Sequence, residues 1–261
     1  MSASTIGGIN LLSEHEKKEI YRRIIPGELL ERFKLNPYLA DIQGRSLLNL
    51  KCKPGSTSVE MSLFHEHGFR DPVFYGHLTD TMNGQIHILL YILNDPASPR
   101  FDVDIMPNGQ ATQFGTSQRN IEAEQNALQS GLTPGQIRSG LGILSTATTA
   151  FENFVETLGH DMYFAEPLYY HNAIIFERYG FAYKSGKKLM KRIQAEFTGD
   201  GACVKKLDGS SAFRQPEAQK SIRLRSWAIH DGILGEPFTN VTMYKRVGKS
   251  ANINTSEGTH W

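Results

Sequence analysis

The chain has 261 residues, 28 Lys and Arg against 27 Asp and Glu, a net charge of +1 and an apolar share of 39%. That is enough apolar material for a sizeable core, and near-neutrality without a basic run argues against nucleic acid as the main partner. Cys52 and Cys203 have no CxxC partner, which speaks against a zinc knuckle or a disulfide framework and suits a reducing compartment.

No apolar run reaches the ~18 residues of a spanning helix, and the N-terminus lacks a basic segment followed by an apolar one. No membrane partner and a cytoplasmic location are therefore expected. In chain order, Ser13 with Glu16 forms a capping box for a helix that ends before Pro26. A short helix over 28–33 follows. Strands are expected at 48–52, 57–66, 73–81, 85–94 and 100–106, from alternating apolar residues between turn residues. Asn83-Gly84 signals a two-residue hairpin turn. Such a turn sets Asp80 opposite His87, Leu78 opposite Leu89 and Gly76 opposite Tyr91.

Residues 118–130 read as a polar helix. Thr133 is a good N-cap, Pro134 suits the first helical position, and Ile137, Leu141, Leu144, Phe151, Val155 and Leu158 recur at threes and fours. The pattern predicts one long helix ended by Gly159. A strand over 161–166, a helix over 170–179 stopped by Gly180, and a helix over 187–197 come next. Residues 198–216 form a long connection, 221–235 fit helix or loop equally, and 241–247 are a last strand. Residues 249–261 are expected to be a flexible tail without stable contacts. The fold class that follows is α/β (α+β), a mixed, mostly antiparallel central sheet with helices on both faces, in a single domain over 1–248.

His65 and His67 would share a strand face and, with His77 or His87, could hold a metal. No third ligand is specified by spacing, so a polar strand end is the favoured reading and no metal is expected. Asp102 and Asp104 could bind a cation or simply be salt-bridged. Glu166, His171 and Asn172 stand where a strand ends and a helix begins, a common ligand position in α/β sheets. Glu166 or His171 could act as a base, and His171 and Asn172 could equally be helix caps. Arg225 to Gly232, with His230-Asp231, reads as a pocket wall.

Two motifs carry a resemblance. Phe176-Glu-Arg-Tyr-Gly-Phe181 is similar to the end of the last conserved helix of the GNAT-type acyl-CoA N-acyltransferases, and Gln136-Ile-Arg-Ser-Gly-Leu-Gly142 resembles their glycine loop. The resemblance covers 134–183, together with the order of the preceding strands. It implies a GNAT-like fold that moves an acyl group from acetyl-CoA or another acyl-CoA to an amine on a small-molecule substrate. It also leaves room for a homodimer. Gln136, Arg138, Gly140, Gly142 and Asn172 would hold the CoA, with backbone N–H groups cradling its pyrophosphate. Phe176 replaces a tyrosine that can protonate the thiolate, and Tyr179 is the nearest candidate for that role. Two alternatives are carried along. In one the glycines are helix-interior packing positions; in the other the chain is a non-catalytic small-molecule-binding or sensory protein on the same scaffold.

Overall fold

The computed structural model describes residues 3–112 and 118–261. Its sheet has seven strands, β1 (Leu48–Lys51), β2 (Ser58–Leu63), β3 (Phe74–Asp80), β4 (Ile86–Leu93), β5 (Met162–Ala165), β6 (Ala182–Ser185) and β7 (Thr242–Arg246), in the order β1-β2-β3-β4-β5-β7-β6. β1 to β4 are antiparallel neighbours and β4 pairs with β5 in parallel. This is the mixed, mostly antiparallel α/β architecture that the strand pattern implies. Among the described residues there are eight α-helices: α1 (Ile6–Ile9), α2 (Glu14–Tyr21), α3 (Gly27–Arg32), α4 (Ile121–Gln129), α5 (Leu144–Thr157), α6 (Tyr170–Arg178), α7 (Lys187–Glu196) and α8 (Ile222–His230). None is long and apolar enough to cross a membrane. The chain divides into two compact units, one of residues 1–96, 140–166 and 244–250, the other of 97–139, 167–243 and 251–261.

In the first unit, alternation sorts the meander into two faces. Val59, Met61 and Leu63 are buried while Ser58, Glu60 and Ser62 between them are half-buried; Phe74, Gly76 and Leu78 continue the buried face on β3. Side chains of period two must alternate in this way. Phe151 of α5 packs on the buried face, its ring 4.9 Å from Tyr163 and 6.4 Å from Tyr91. The capping box forms as expected: Ser13 N–H donates to Glu16 Oε2 at 3.1 Å and Glu16 N–H to Ser13 Oγ at 3.4 Å.

The hairpin differs near its turn. Thr81 N–H donates to the Gln85 carbonyl at 2.8 Å, so three residues, Met82 to Gly84, form the loop. Gly84 takes φ +73°, the left-handed geometry of a three-residue hairpin. Asp80 therefore faces Ile86, Thr79 faces His87, and Leu78 faces Ile88. His77 then pairs with Leu90, which makes Leu89 an extra, bulged residue. The bulge restores the expected pairing of Gly76 with Tyr91. Asp80 instead accepts from Ile6 N–H at 2.7 Å and Gly7 N–H at 2.8 Å, capping α1.

Two other elements depart from expectation. Residues 100–106 are not a strand, because Arg100 gathers Asp102 and Asp104 into ion pairs within the segment and bends it. The long helix begins eleven residues later than Thr133, at Leu144. Gly135 and Gly142 have φ of +79° and +76°, a conformation no α-helix contains.

The second unit is built around Trp227. Val103, Ala127, Leu128, Leu132 and Phe213 cluster with it, its indole N–H donates to the Leu132 carbonyl at 2.8 Å, and the Phe213 ring stacks on it at 5.2 Å. The ambiguous stretch 221–235 is thus α8, capped by Ser221 Oγ, which accepts from Leu224 N–H. Residues 198–216 include one short turn of 3₁₀-helix, Val204–Lys206, and bury Cys203, Leu207 and Phe213. The C-terminal segment has stable contacts, contrary to expectation. The buried Glu177 carboxylate accepts from Thr255 N–H at 2.9 Å, Thr255 Oγ1 at 2.7 Å and Tyr183 OH at 2.5 Å. His260 bonds through its backbone to Lys220 and Ile222.

Candidate functional site

The first unit holds Gly140, Gly142 and Glu166; the second holds Gln136, Arg138, His171, Asn172 and Tyr179.

Gly140 lies opposite Asn94, one residue past the end of β4, in an isolated antiparallel bridge. The turn from Gly140 to Ile143 then leads into α5. Helix α5 starts at Leu144 with no side-chain cap on its first N–H groups, which leaves the positive end of the helix dipole undressed by a local acceptor. Both glycines are exposed. A Cβ at Gly142 would meet nothing within 4 Å, and one at Gly140 only the Leu93 carbonyl oxygen at 3.7 Å, an ordinary contact. Neither glycine lies inside a helix or against a close neighbour, so the packing alternative is overturned. Gly142 is required by its φ, not by space.

Sequence reasoning missed two side chains at this turn, both from α3. Arg32 Nη1 donates to the Leu141 carbonyl at 2.9 Å and Nη2 lies 3.6 Å from Asp95 Oδ2. Thr146 Oγ1 donates to Glu28 Oε2 at 2.8 Å. No spacing signal links residues separated by more than a hundred positions.

The parallel pairing of β4 with β5 is short. It joins His87 to Phe164 and Ile88 to Ala165, and ends with Glu166 N–H donating to the Ile88 carbonyl at 3.1 Å. From the bulged Leu89 onward, β4 runs to Leu93 beyond the β5 register. β5 ends at Ala165, so β4 has no β5 partner from its bulge onward. Glu166 is exposed at that point. The Tyr91 hydroxyl, on the part of β4 beyond the β5 pairing, is buried with no hydrogen-bond partner, and burial raises its pKa well above the ordinary tyrosine value.

The half-buried face of the meander carries a polar ladder. Ser58 Oγ is 2.9 Å from His77 Nε2, Tyr75 OH donates to Glu60 Oε2 at 3.0 Å, and Lys51 Nζ is 3.4 Å from the same oxygen. The Tyr75 hydrogen bond is the largest influence on Glu60 and holds its carboxyl below the usual range. His65 does not share a strand face with His67, because β2 ends at Leu63; its ring packs 5.5 Å from Phe33 and 4.4 Å from Phe69. Among the described residues no group of three or more His, Cys, Asp or Glu stands close enough to hold a metal ion.

In the second unit, the predicted residues are already engaged. Gln136 Oε1 accepts from Thr133 N–H at 2.8 Å and Thr133 Oγ1 at 2.7 Å. Arg138 donates to the Ser98 carbonyl. His171 is buried between hydroxyls, Nδ1 at 2.8 Å from Ser226 Oγ and Nε2 at 2.9 Å from Thr133 Oγ1. Burial, reinforced by His230, lowers its pKa to about 3, so the ring is neutral. Asn172 Oδ1 accepts from Tyr169 N–H at 3.2 Å, a helix-capping bond. Tyr179 follows α6 and is half-buried.

In the segment read as a pocket wall, residues 225–229 are core, His230 and Asp231 are half-buried and Gly232 is exposed. Arg225, Ser226 and Trp227 are fully buried, and Arg225 donates to Tyr170 OH, Gln194 Oε1 and the Gln219 carbonyl. His230 Nε2 lies 3.0 Å from Glu124 Oε1. Burial pushes the Glu124 carboxyl up, but hydrogen bonds from His230 and Arg119 outweigh it and hold it low. Asp231 completes this charge cluster with Arg119 at 3.3 Å and Arg214 at 3.0 Å.

Compared with family models, curated proteins and solved structures, the chain matches none.

Proposed function

We propose that the chain is an acyl-CoA-dependent N-acyltransferase that acts on a small-molecule amine. The observation that carries this reading is the end of the β4–β5 pairing at Ile88, next to the Leu89 bulge, together with the glycine turn at the end of β4. Bulges often mark places where a ligand approaches backbone. An extended chain such as the pantetheine arm suits a strand that runs on past the end of its neighbour, where it can add strand-like hydrogen bonds. At the far end, the open Gly140–Ile143 turn and the uncapped start of α5 suit a pyrophosphate. The residues fit an acyl-CoA in one further respect: the buried Tyr91 hydroxyl lacks a partner, and such groups usually have one.

In this reading Gly140 and Gly142 contact the phosphates through backbone N–H groups, and Arg32 adds the cation that the resemblance assigned to Arg138. Glu166, exposed just past the end of β5, is available to bind or deprotonate an amine. His171 serves the core: a ring with both nitrogens occupied and a strongly lowered proton affinity is a poor base at neutral pH.

The test is a thermal shift titration with acetyl-CoA, CoA and longer acyl-CoAs. A ligand that binds only the native state raises Tm with concentration. No shift with any of them sinks the proposal. A second reading, binding without turnover, is favoured by the internal engagement of Gln136, His171 and Asn172. It predicts a shift with acetyl-CoA but no thiol release in the presence of amines.

A further inference from the structure

We propose that the first unit holds a second small-ligand site, at the opposite end of α5 from the glycine turn, and that it takes a small zwitterion of the free amino-acid class. A cavity of about 350 Å³ lies there, lined by the end of α5, the start of β5 and the turn after β7. That volume suits a small ligand. Helix α5 has 14 residues, so at 1.5 Å per residue the helix alone puts about 20 Å between this cavity and Gly142. The inference therefore does not rest on the acyltransferase reading.

The lining is mostly ionic. Glu156 and Asp161 come from the α5–β5 connection, Arg246 and Lys249 from the end of β7 and its turn, and Val247 is the apolar side chain among them. The two signs are thus sorted by segment. Among the described residues none of these four charges has an ion-pair partner. The same two segments do pair where they meet, since Lys245 Nζ lies 2.9 Å from Glu152 Oε1 with both side chains largely buried. The lining charges instead stay apart around the cavity, at a separation that a ligand can span and a salt bridge cannot.

Both sides are built. Lys245 Nζ also donates to the Lys249 carbonyl at 2.7 Å, Gly248 N–H donates to Glu152 Oε2 at 2.9 Å, and Lys249 N–H closes the turn on the Arg246 carbonyl at 3.1 Å. Val247 N–H ties that turn to the Asp161 carbonyl at 2.9 Å. On the acidic side, His160 Nε2 lies 2.6 Å from the Ser4 carbonyl. A carbonyl only accepts, so Nε2 carries the hydrogen and the neutral ring keeps Nδ1 as an acceptor. The C-terminal end of α5 adds a partial negative charge. Glu156, Asp161, His160 and the helix end suit an ammonium group. Arg246, with two parallel donors, and Lys249 suit a carboxylate. A ligand with a single charge engages only one of these two sets.

The experiment is calorimetric titration of the whole chain, without CoA, against each of the standard L-amino acids. At least one should bind saturably. Its decarboxylated amine and its N-acetyl derivative should each bind at least about tenfold more weakly, because each lacks one of the two charges. Glu156→Gln and Arg246→Gln should each weaken the amino acid by a similar factor. Arg246→Gln should make no further difference to the amine, which has no carboxylate to hold. Both positions are exposed, so the variants should keep the wild-type melting temperature. Lys18→Gln, which removes an exposed cation of α2 outside the cavity, should leave binding unchanged. The inference is overturned if no standard amino acid binds, or if the amine or the N-acetyl derivative binds as tightly as the amino acid. It is equally overturned if Lys18→Gln costs as much affinity as Arg246→Gln, since binding would then follow overall charge.

Discussion

Asp80 and His171 both change role between sequence and fold. A two-residue turn pairs Asp80 with His87; one more loop residue hands Asp80 to the backbone of α1 instead. Alternation cannot reveal this, because a slip of one residue is decided by turn geometry. His171 reads as a candidate base because it follows a strand end, yet it is sealed between Thr133 and Ser226. Its burial has a measurable consequence. The folded ring titrates at about 3 against an ordinary 6.5, so between those values the unfolded state binds the extra proton. Stability from this residue is complete above about pH 6.5 and is lost as pH falls toward 3, with a slope approaching ~1.4 kcal/mol per pH unit. Urea unfolding at several pH values should show this limb in wild type and a shallower one in His171→Gln. Equal slopes in the two proteins would mean that His171 is not held neutral.

At the scale of elements, the apolar stripe from Ile137 to Leu158 was a true signal for α5 but a false one for its start. Periodicity counts apolar residues and is blind to φ. Gly135 and Gly142 needed left-handed backbone, and Ile137 and Leu141 found burial from a turn instead of a helix. Gly142→Ala should cost about 1–2 kcal/mol, the price of left-handed backbone for a residue with a Cβ. Gly140→Val should cost under about 0.5 kcal/mol, since only an ordinary contact awaits it. Chemical denaturation of both variants checks the pair. If Gly140→Val instead proves the more damaging, the turn is more crowded than its geometry indicates. Acetyl-CoA binding by Gly140→Val adds a functional arm: a side chain over the phosphates should weaken it at unchanged stability.

At the scale of the molecule, the C-terminal segment matters most. Within its unit, Thr255 supplies two of the three hydrogen bonds to the Glu177 carboxylate, Gln194 donates to the Glu257 carbonyl, and the Trp261 ring lies 5.8 Å from the Arg178 guanidinium. Deleting residues 251–261 strands a buried carboxylate with Tyr183 alone. We expect a loss of about 3–5 kcal/mol, which for this chain length is a fall in Tm on the order of ten degrees. A melting temperature within two degrees of wild type would show that these contacts contribute little. Glu177→Ala should reproduce much of the loss without shortening the chain.

The residues alone determined the strands of the meander, the Ser13 capping box, the helices α4, α6 and α7, and the mixed sheet, because each rests on local periodicity, caps and turn residues. Of the candidate site, Glu166 stood at a strand end by element order, while Gly140 and Gly142 were marked only by the resemblance of 136–142 to a glycine loop; their place beside the end of β4 came from the fold. What only the tertiary structure decided are matters of long-range pairing: the Leu89 bulge, the short β4–β5 register, Arg32 at the glycine turn, and Ser58 beside His77. The same holds for the C-terminal segment. Its polar composition resembles a free tail, but Thr255 is buried because a distant carboxylate, Glu177, needs hydrogen-bond donors that no neighbour in sequence provides.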